Sequence, residues 1–80
     1  MTQLSLAKCT KELMKQYFKE IDGNYSQAGN LHKLILEQVE KPLLEEVLLK
    51  TQGNKVQAAK ILGINRNTLS KKLINYGIIK

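Results

Sequence analysis

Eighty residues leave room for one domain, and a domain of that size buries only about 60% of the surface its unfolded chain exposes, so a partner surface is expected. A hydrophobic share of 42% with 25% charged residues marks a globular chain, and the single cysteine, Cys9, excludes an intrachain disulfide or a cysteine metal cluster. The net charge of +6 is uneven: residues 1–49 carry Lys8, Lys11, Lys15, Lys19, Lys33 and Lys41 against all seven acids, whereas residues 50–80 carry Lys50, Lys55, Lys60, Arg66, Lys71, Lys72 and Lys80 with no acid. A segment of one sign repels itself unless a polyanion sits against it, which points to nucleic acid or another anionic surface.

In chain order, Leu13, Met14, Tyr17, Phe18 and Ile21 repeat one helical face, with Lys11, Lys15 and Lys19 on the other, predicting a first helix over about 8–21. Asp22, Gly23 and Asn24 are expected to end it, and Asn24 to Asn30 reads as a loop. A second helix is expected over about 31–51, with Asn30 as its cap. Leu31, Leu34, Ile35, Leu36, Val39, Leu43, Leu44, Val47, Leu48 and Leu49 make it apolar on several sides, which one short chain can hardly cover. Two such helices packed across a twofold axis can. The apolar phase continues through Pro42, so a kinked but continuous helix is expected there.

Gly53 is expected to stop this helix. Asn54 with Gln57 three residues on forms a capping-box pattern that opens a third helix at Lys55. Gly63 closes it, and Asn65 caps a fourth helix from Arg66 to about Asn75, ended by Tyr76 and Gly77. Two short helices joined by Gly63, Ile64 and Asn65 fit a helix-turn-helix. Ala58 and Ala59 suit a close crossing, and Val56, Leu62, Ile64, Leu69 and Leu73 are expected in the shared core. Arg66, Asn67, Ser70 and Lys71, with Thr68 and Asn75, are left facing outward, and these side-chain types hydrogen-bond bases and phosphates.

The stretch from Gln38 through Pro42 to Gly53 and Asn54, then Ala58-Ala59, Gly63 to Arg66, Thr68-Leu69, Lys71 to Leu73 and Tyr76-Gly77, resembles the factor for inversion stimulation (Fis) family. Gln16 to Phe18 and Leu34 to Glu40 resemble that family's dimer-forming helices, so the likeness covers nearly all of residues 8–77. The helix-turn-helix half alone is shared with the C-terminal domains of NtrC-type activators. The resemblance implies an all-α fold of four helices per chain in an intertwined homodimer, with dimerisation helices in residues 1–52 and a helix-turn-helix in 53–80 of one compact domain. It further implies a bacterial, cytoplasmic, nucleoid-associated transcription regulator that binds and bends degenerate, often AT-rich double-stranded DNA through the major groove.

Carried over residue by residue, the resemblance makes Arg66 the base-reading side chain, at the helix end that enters the groove. Asn65 is expected as cap first and phosphate contact second, with Asn54 serving both roles at the preceding helix. Thr68 and Lys71 match positions that touch backbone or groove, and Lys72 resembles a phosphate-facing lysine. Tyr17, Phe18, Leu34, Ile35, Val39 and Leu43 are expected at the dimer interface. The chain departs from the family where Ser70 replaces a DNA-facing arginine, Ile74-Asn75 replace lysines and Val56 replaces a hydroxyl residue. Only about seven residues precede the first helix, so the family's mobile arm is expected to be missing and with it activation of a DNA invertase.

No secretory signal or membrane-length apolar run is present in the sequence, and no membrane, small-molecule ligand or cofactor is expected. His32 lacks a second ligand nearby and is expected at the surface or the dimer interface, with no metal site. With one His and one Cys, no nucleophile and base can be paired, so an enzyme is not expected. Two other readings stay open: a basic helical protein adaptor, and a stand-alone NtrC-type activator domain. Against the latter, the chain opens with its own Met1 and ends soon after Gly77, as a self-standing protein would.

Overall fold

The computed structural model describes residues 5–21 and 29–80, and among them the fold is all-helical. Helix α1 is Leu6–Ile21, α2 Leu31–Lys50, α3 Lys55–Leu62 and α4 Arg66–Asn75. The expected glycine stop at 22–24 and most of the loop after it lie outside the described residues. The chain forms two units, Met1–Leu31 and His32–Lys80.

In the first unit, α1 begins two residues before its expected start, and none of its residues is buried. Thr10 explains part of the early start: its Oγ1 donates to the Leu6 carbonyl oxygen at 2.8 Å, tying down the first turn. Leu6, Leu13 and Phe18 are exposed, and Tyr17 meets Phe18 edge to face with ring centroids 5.3 Å apart. The aromatic pair is therefore open on one side in the single chain.

The second unit is built on one small core: Leu44 of α2, Ala58 and Ala59 of α3, and Leu69 and Leu73 of α4. Val47, Leu48, Leu62, Ile64, Tyr76, Ile78 and Ile79 pack around it. Ala58 and Ala59 are buried as their size predicts, letting α3 and α4 approach closely. Val56 is a correction. It is 47% exposed, because it stands nearly half a turn round α3 from Ala58. The residues after 53 do not have a core to themselves, since Leu44, Val47 and Leu48 are part of it.

Helix α2 runs unbroken through Pro42, whose missing N–H leaves one carbonyl of the preceding turn without its helical donor. Its end differs from expectation. Gly53 N–H donates to the Leu48 carbonyl at 2.9 Å and Gln52 N–H to that of Leu49 at 3.1 Å, so the left-handed position closing the helix belongs to Gln52, at φ 54°. Gly53 follows at φ 83°. Thr51, buried, adds a hydroxyl bond of 3.1 Å to the Leu48 carbonyl. Two residues in left-handed geometry turn the chain sharply into α3.

Candidate nucleic-acid interface

The link between α3 and α4 is set by backbone chemistry legible in the sequence. Asn54 stands in extended conformation before α3, and its Oδ1 accepts the Gln57 N–H at 3.1 Å. Gly63 takes φ 74° after α3, with its N–H directed to Ala59 and Lys60, and Ile64 N–H donating to Ala59 at 3.1 Å. Ile64 is thereby turned onto the core. Asn65, again extended, accepts the Asn67 N–H at 2.8 Å and opens α4. In both caps the asparagine oxygen is used internally, which leaves the amide NH₂ as a donor for an anion outside the helix.

Helix α4 divides cleanly by face. Leu69 and Leu73, one turn apart, are buried, whereas Arg66, Asn67, Thr68, Lys71 and Asn75 are exposed and Ser70 is half-buried. Neither α3 nor α4 has an acidic residue in its first turn, so the positive helix termini are not neutralised there. Ile74, 52% exposed, lies on this outward face one turn beyond Ser70 and Lys71.

Lys72 points elsewhere. Its ammonium donates to Glu40 Oε1 at 3.1 Å and lies 3.1 Å from Oε2, both side chains being about one-third exposed. The Tyr76 hydroxyl donates to the same Oε1 at 2.7 Å. These three groups, with Glu37 and Asn75, line a cleft of about 170 Å³. The Tyr76 hydrogen bond, helped by the Lys72 bond and charge, holds the Glu40 carboxyl below its ordinary range despite partial burial. The Tyr76 phenol is pushed up to about 12, first by its bond to Glu40, then by desolvation and the charges of Glu40 and Glu37.

Residues 35–76 match the bacterial regulatory protein, Fis family. The "DNA-binding protein Fis" of Proteus mirabilis (strain HI4320) is 43% identical over 77 residues, which is 96% of this chain and 76% of the relative. The proteins of the same name from Escherichia coli O1:K1 / APEC and Yersinia pestis (strain Pestoides F) show the same identity and coverage. The chain belongs to the Fis family. Its matched region takes in α3, α4 and most of α2, which are the helices that share one core.

For this Fis-family chain, the structure gathers Arg66, Asn67, Thr68, Ser70 and Lys71 on one helix, with the two cap asparagines at the starts of adjacent helices. Of the residues expected at a dimer interface, Phe18, Leu34, Val39 and Leu43 are exposed, and Tyr17 and Ile35 half-buried. His32 is exposed. The Glu40 cluster was not foreseen. One signal for it is present: Glu40 precedes buried Leu44 by one turn, and Lys72 precedes Tyr76 by one turn. Nothing in the sequence says which of Glu37, Glu40, Glu45 and Glu46 meets Lys72.

Proposed function

We propose that this protein is a non-enzymatic, DNA-binding regulator that acts as a homodimer, laying α4 of each subunit in the major groove. The observation that carries the reading is the outward face of α4, free of acids and presented by a fold whose relatives are named DNA-binding proteins. Arg66, at the groove-entering end, reads a base by bidentate bonds to guanine O6 and N7, with Asn67 and Ser70 beside it. Asn54, Asn65, Thr68 and Lys71 hold phosphates, and Lys72 reaches a phosphate only by leaving Glu40.

The dimer rests on Leu36, Val39 and Leu43, which form a stripe on α2 away from the Leu44 face and are all exposed in the single chain. Tyr17, Phe18, Leu34 and Ile35 extend that interface, residues 1–52 serving dimerisation and 53–80 the DNA. The target is double-stranded DNA at degenerate, AT-rich sites, bent to meet two recognition helices, and the place of action is the nucleoid in the cytoplasm. No helix among the described residues is long and apolar enough to cross a membrane.

The test is light scattering after size exclusion, alone and with an AT-rich duplex of about thirty base pairs, a span chosen to exceed two half-sites one helical turn apart. A dimer alone and two chains per duplex are expected. A dimer that ignores DNA would turn the reading to a protein adaptor; a monomer would overturn the dimer. Three to five phosphates neutralised per subunit give the dimer a log–log salt slope of roughly −5 to −9, and a flat slope would refute the phosphate contacts.

A further inference from the structure

Among the described residues, the cleft between α2 and α4 is the one place where a charged cluster ties the recognition helix to another helix by side-chain bonds that span more than thirty residues of sequence. Glu40 sits on the Leu44 face of α2, a turn away from the core, so its carboxylate is delivered to α4 by the same packing that buries Leu44. From α4 it receives two donors a turn apart, Lys72 and Tyr76. Two attachment points along one helix resist both its rotation and its sliding, which a single hydrogen bond does not. The core beside them is apolar, and the attraction that holds it is non-directional. The bonds also engage Lys72, the lysine of α4 that faces α2, and set the Glu40 carboxylate against its charge.

We propose that Glu40 is a positioning residue for DNA recognition, fixing the set of α4 on α2 through Lys72 and Tyr76 so that Arg66 meets its base in register. The proposal rests on the DNA-binding reading above and adds to it a residue that itself touches no DNA. Glu40 acts from the helix that carries the exposed dimer stripe, so the latch also relates each recognition helix to the helix through which the subunits pair. A misplacement of about 1 Å at a reading side chain is enough to cost a specific contact. Phosphate contacts made by flexible side chains tolerate such a shift, so discrimination between sequences falls more than total affinity does.

The opposite role is also chemically open to Glu40. As a carboxylate holding a phosphate-binding lysine, it would be a competitor of DNA, and its removal would free Lys72. The two roles give opposite signs, and Tyr76 separates them further. Tyr76→Phe removes one attachment point without altering any charge.

The experiment enriches a duplex from a randomised thirty-base-pair pool with the wild-type protein, then measures binding to it and to an unrelated duplex over a salt series. The proteins compared are wild type, Glu40→Gln and Tyr76→Phe, each checked for helicity and dimer mass. Positioning predicts that both variants lose about three- to tenfold in preference for the enriched duplex, with the salt slope unchanged. A merely structural role would lower the melting temperature and leave preference unchanged in the folded fraction, which overturns the proposal. Tighter binding by Glu40→Gln with a steeper slope, by about one per subunit, makes Glu40 a competitor and overturns it too. If the wild-type protein enriches no sequence, the DNA-binding reading itself falls, and that result is seen before either variant is measured.

Discussion

The unit that holds α2, α3 and α4 closes a core of its own; α1 does not. Leu69 and Leu73 are sealed at 1% and 0% exposure, whereas α1, which also has an apolar face, buries nothing. The same division runs down α2, where Leu44 is buried and Leu36, Val39 and Leu43, on another side of the helix, lie open. Hydrophobic periodicity reports that a face will be covered, not whether the cover comes from the same chain. A helix apolar on several sides is thus two statements joined: one face closes a core at home and another lies open in the single chain.

The strongest way to break this comparison is truncation on each side of it. Leu73→Ala should destabilise folding by about 2–5 kcal/mol, since a fully buried leucine leaves a cavity with little room to collapse among two alanines. Chemical denaturation followed by circular dichroism reads the effect. Leu43→Ala, at a site 48% exposed, should change the fold of the single chain much less and instead make melting depend more steeply on protein concentration. Equal, concentration-independent losses at both sites would erase the distinction between the closed and the open face.

Next in size is Arg66→Ala. Arg66 is exposed at the start of α4 and outside the core, so the proposed DNA reading expects a loss of about 1–3 kcal/mol in discrimination at one base position with thermal stability unchanged. Binding to sequence variants of an enriched duplex measures it. A uniform loss across all sequences would reassign Arg66 to a phosphate.

Much of the closed half was legible in advance because its signals are local. Asn54 with Gln57, Gly63, Asn65 and Gly77 each act on backbone groups within a few residues, so the cap positions and the α3 and α4 boundaries follow from short-range chemistry. Ala58 and Ala59 announced a close crossing by size alone. What stayed hidden depends on contacts across the fold. Val56 satisfies an apolar pattern yet faces outward, since an eight-residue helix gives too few turns for periodicity to choose a face. Lys72 looks like its neighbour Lys71 in sequence, and only the approach of α2 separates one from the other. The site residues follow helix geometry; the latch behind them does not.

The turns themselves supply two smaller tests. Gly63→Ala meets open space, so its cost is conformational alone, about 1 kcal/mol for an L-residue at φ 74°. Gln52→Gly runs the other way. Gln52 already bears that strain at φ 54°, and glycine removes it while adding freedom to the unfolded chain, for a net gain of about 0.5 kcal/mol. Thermal melts at one protein concentration should show opposite shifts. Shifts of the same sign would mean that the Gln52 side chain secures the end of α2 by a contact stronger than its strain.

The smallest expected effect on stability comes from the Glu40 cluster, and its clearest signature is in titration. The Tyr76 phenol, raised to about 12, favours the protonated form in the folded chain. Its contribution is therefore complete below the ordinary tyrosine value of about 10 and is lost as pH rises towards 12. The Glu40 carboxyl, lowered chiefly by the Tyr76 bond, has the opposite sign: its contribution is present at neutral pH and is lost as pH falls through and below the usual carboxylate range. Ultraviolet titration of phenol ionisation should show a late step from Tyr76 that disappears in Tyr76→Phe and returns towards the ordinary value in Glu40→Gln. An unchanged late phenol in Glu40→Gln would mean that desolvation, not the carboxylate, holds the proton on Tyr76, and the two-point attachment of α4 would reduce to a single ion pair. A single pair with both side chains about one-third exposed is worth little, so the set of α4 would then rest chiefly on the apolar core.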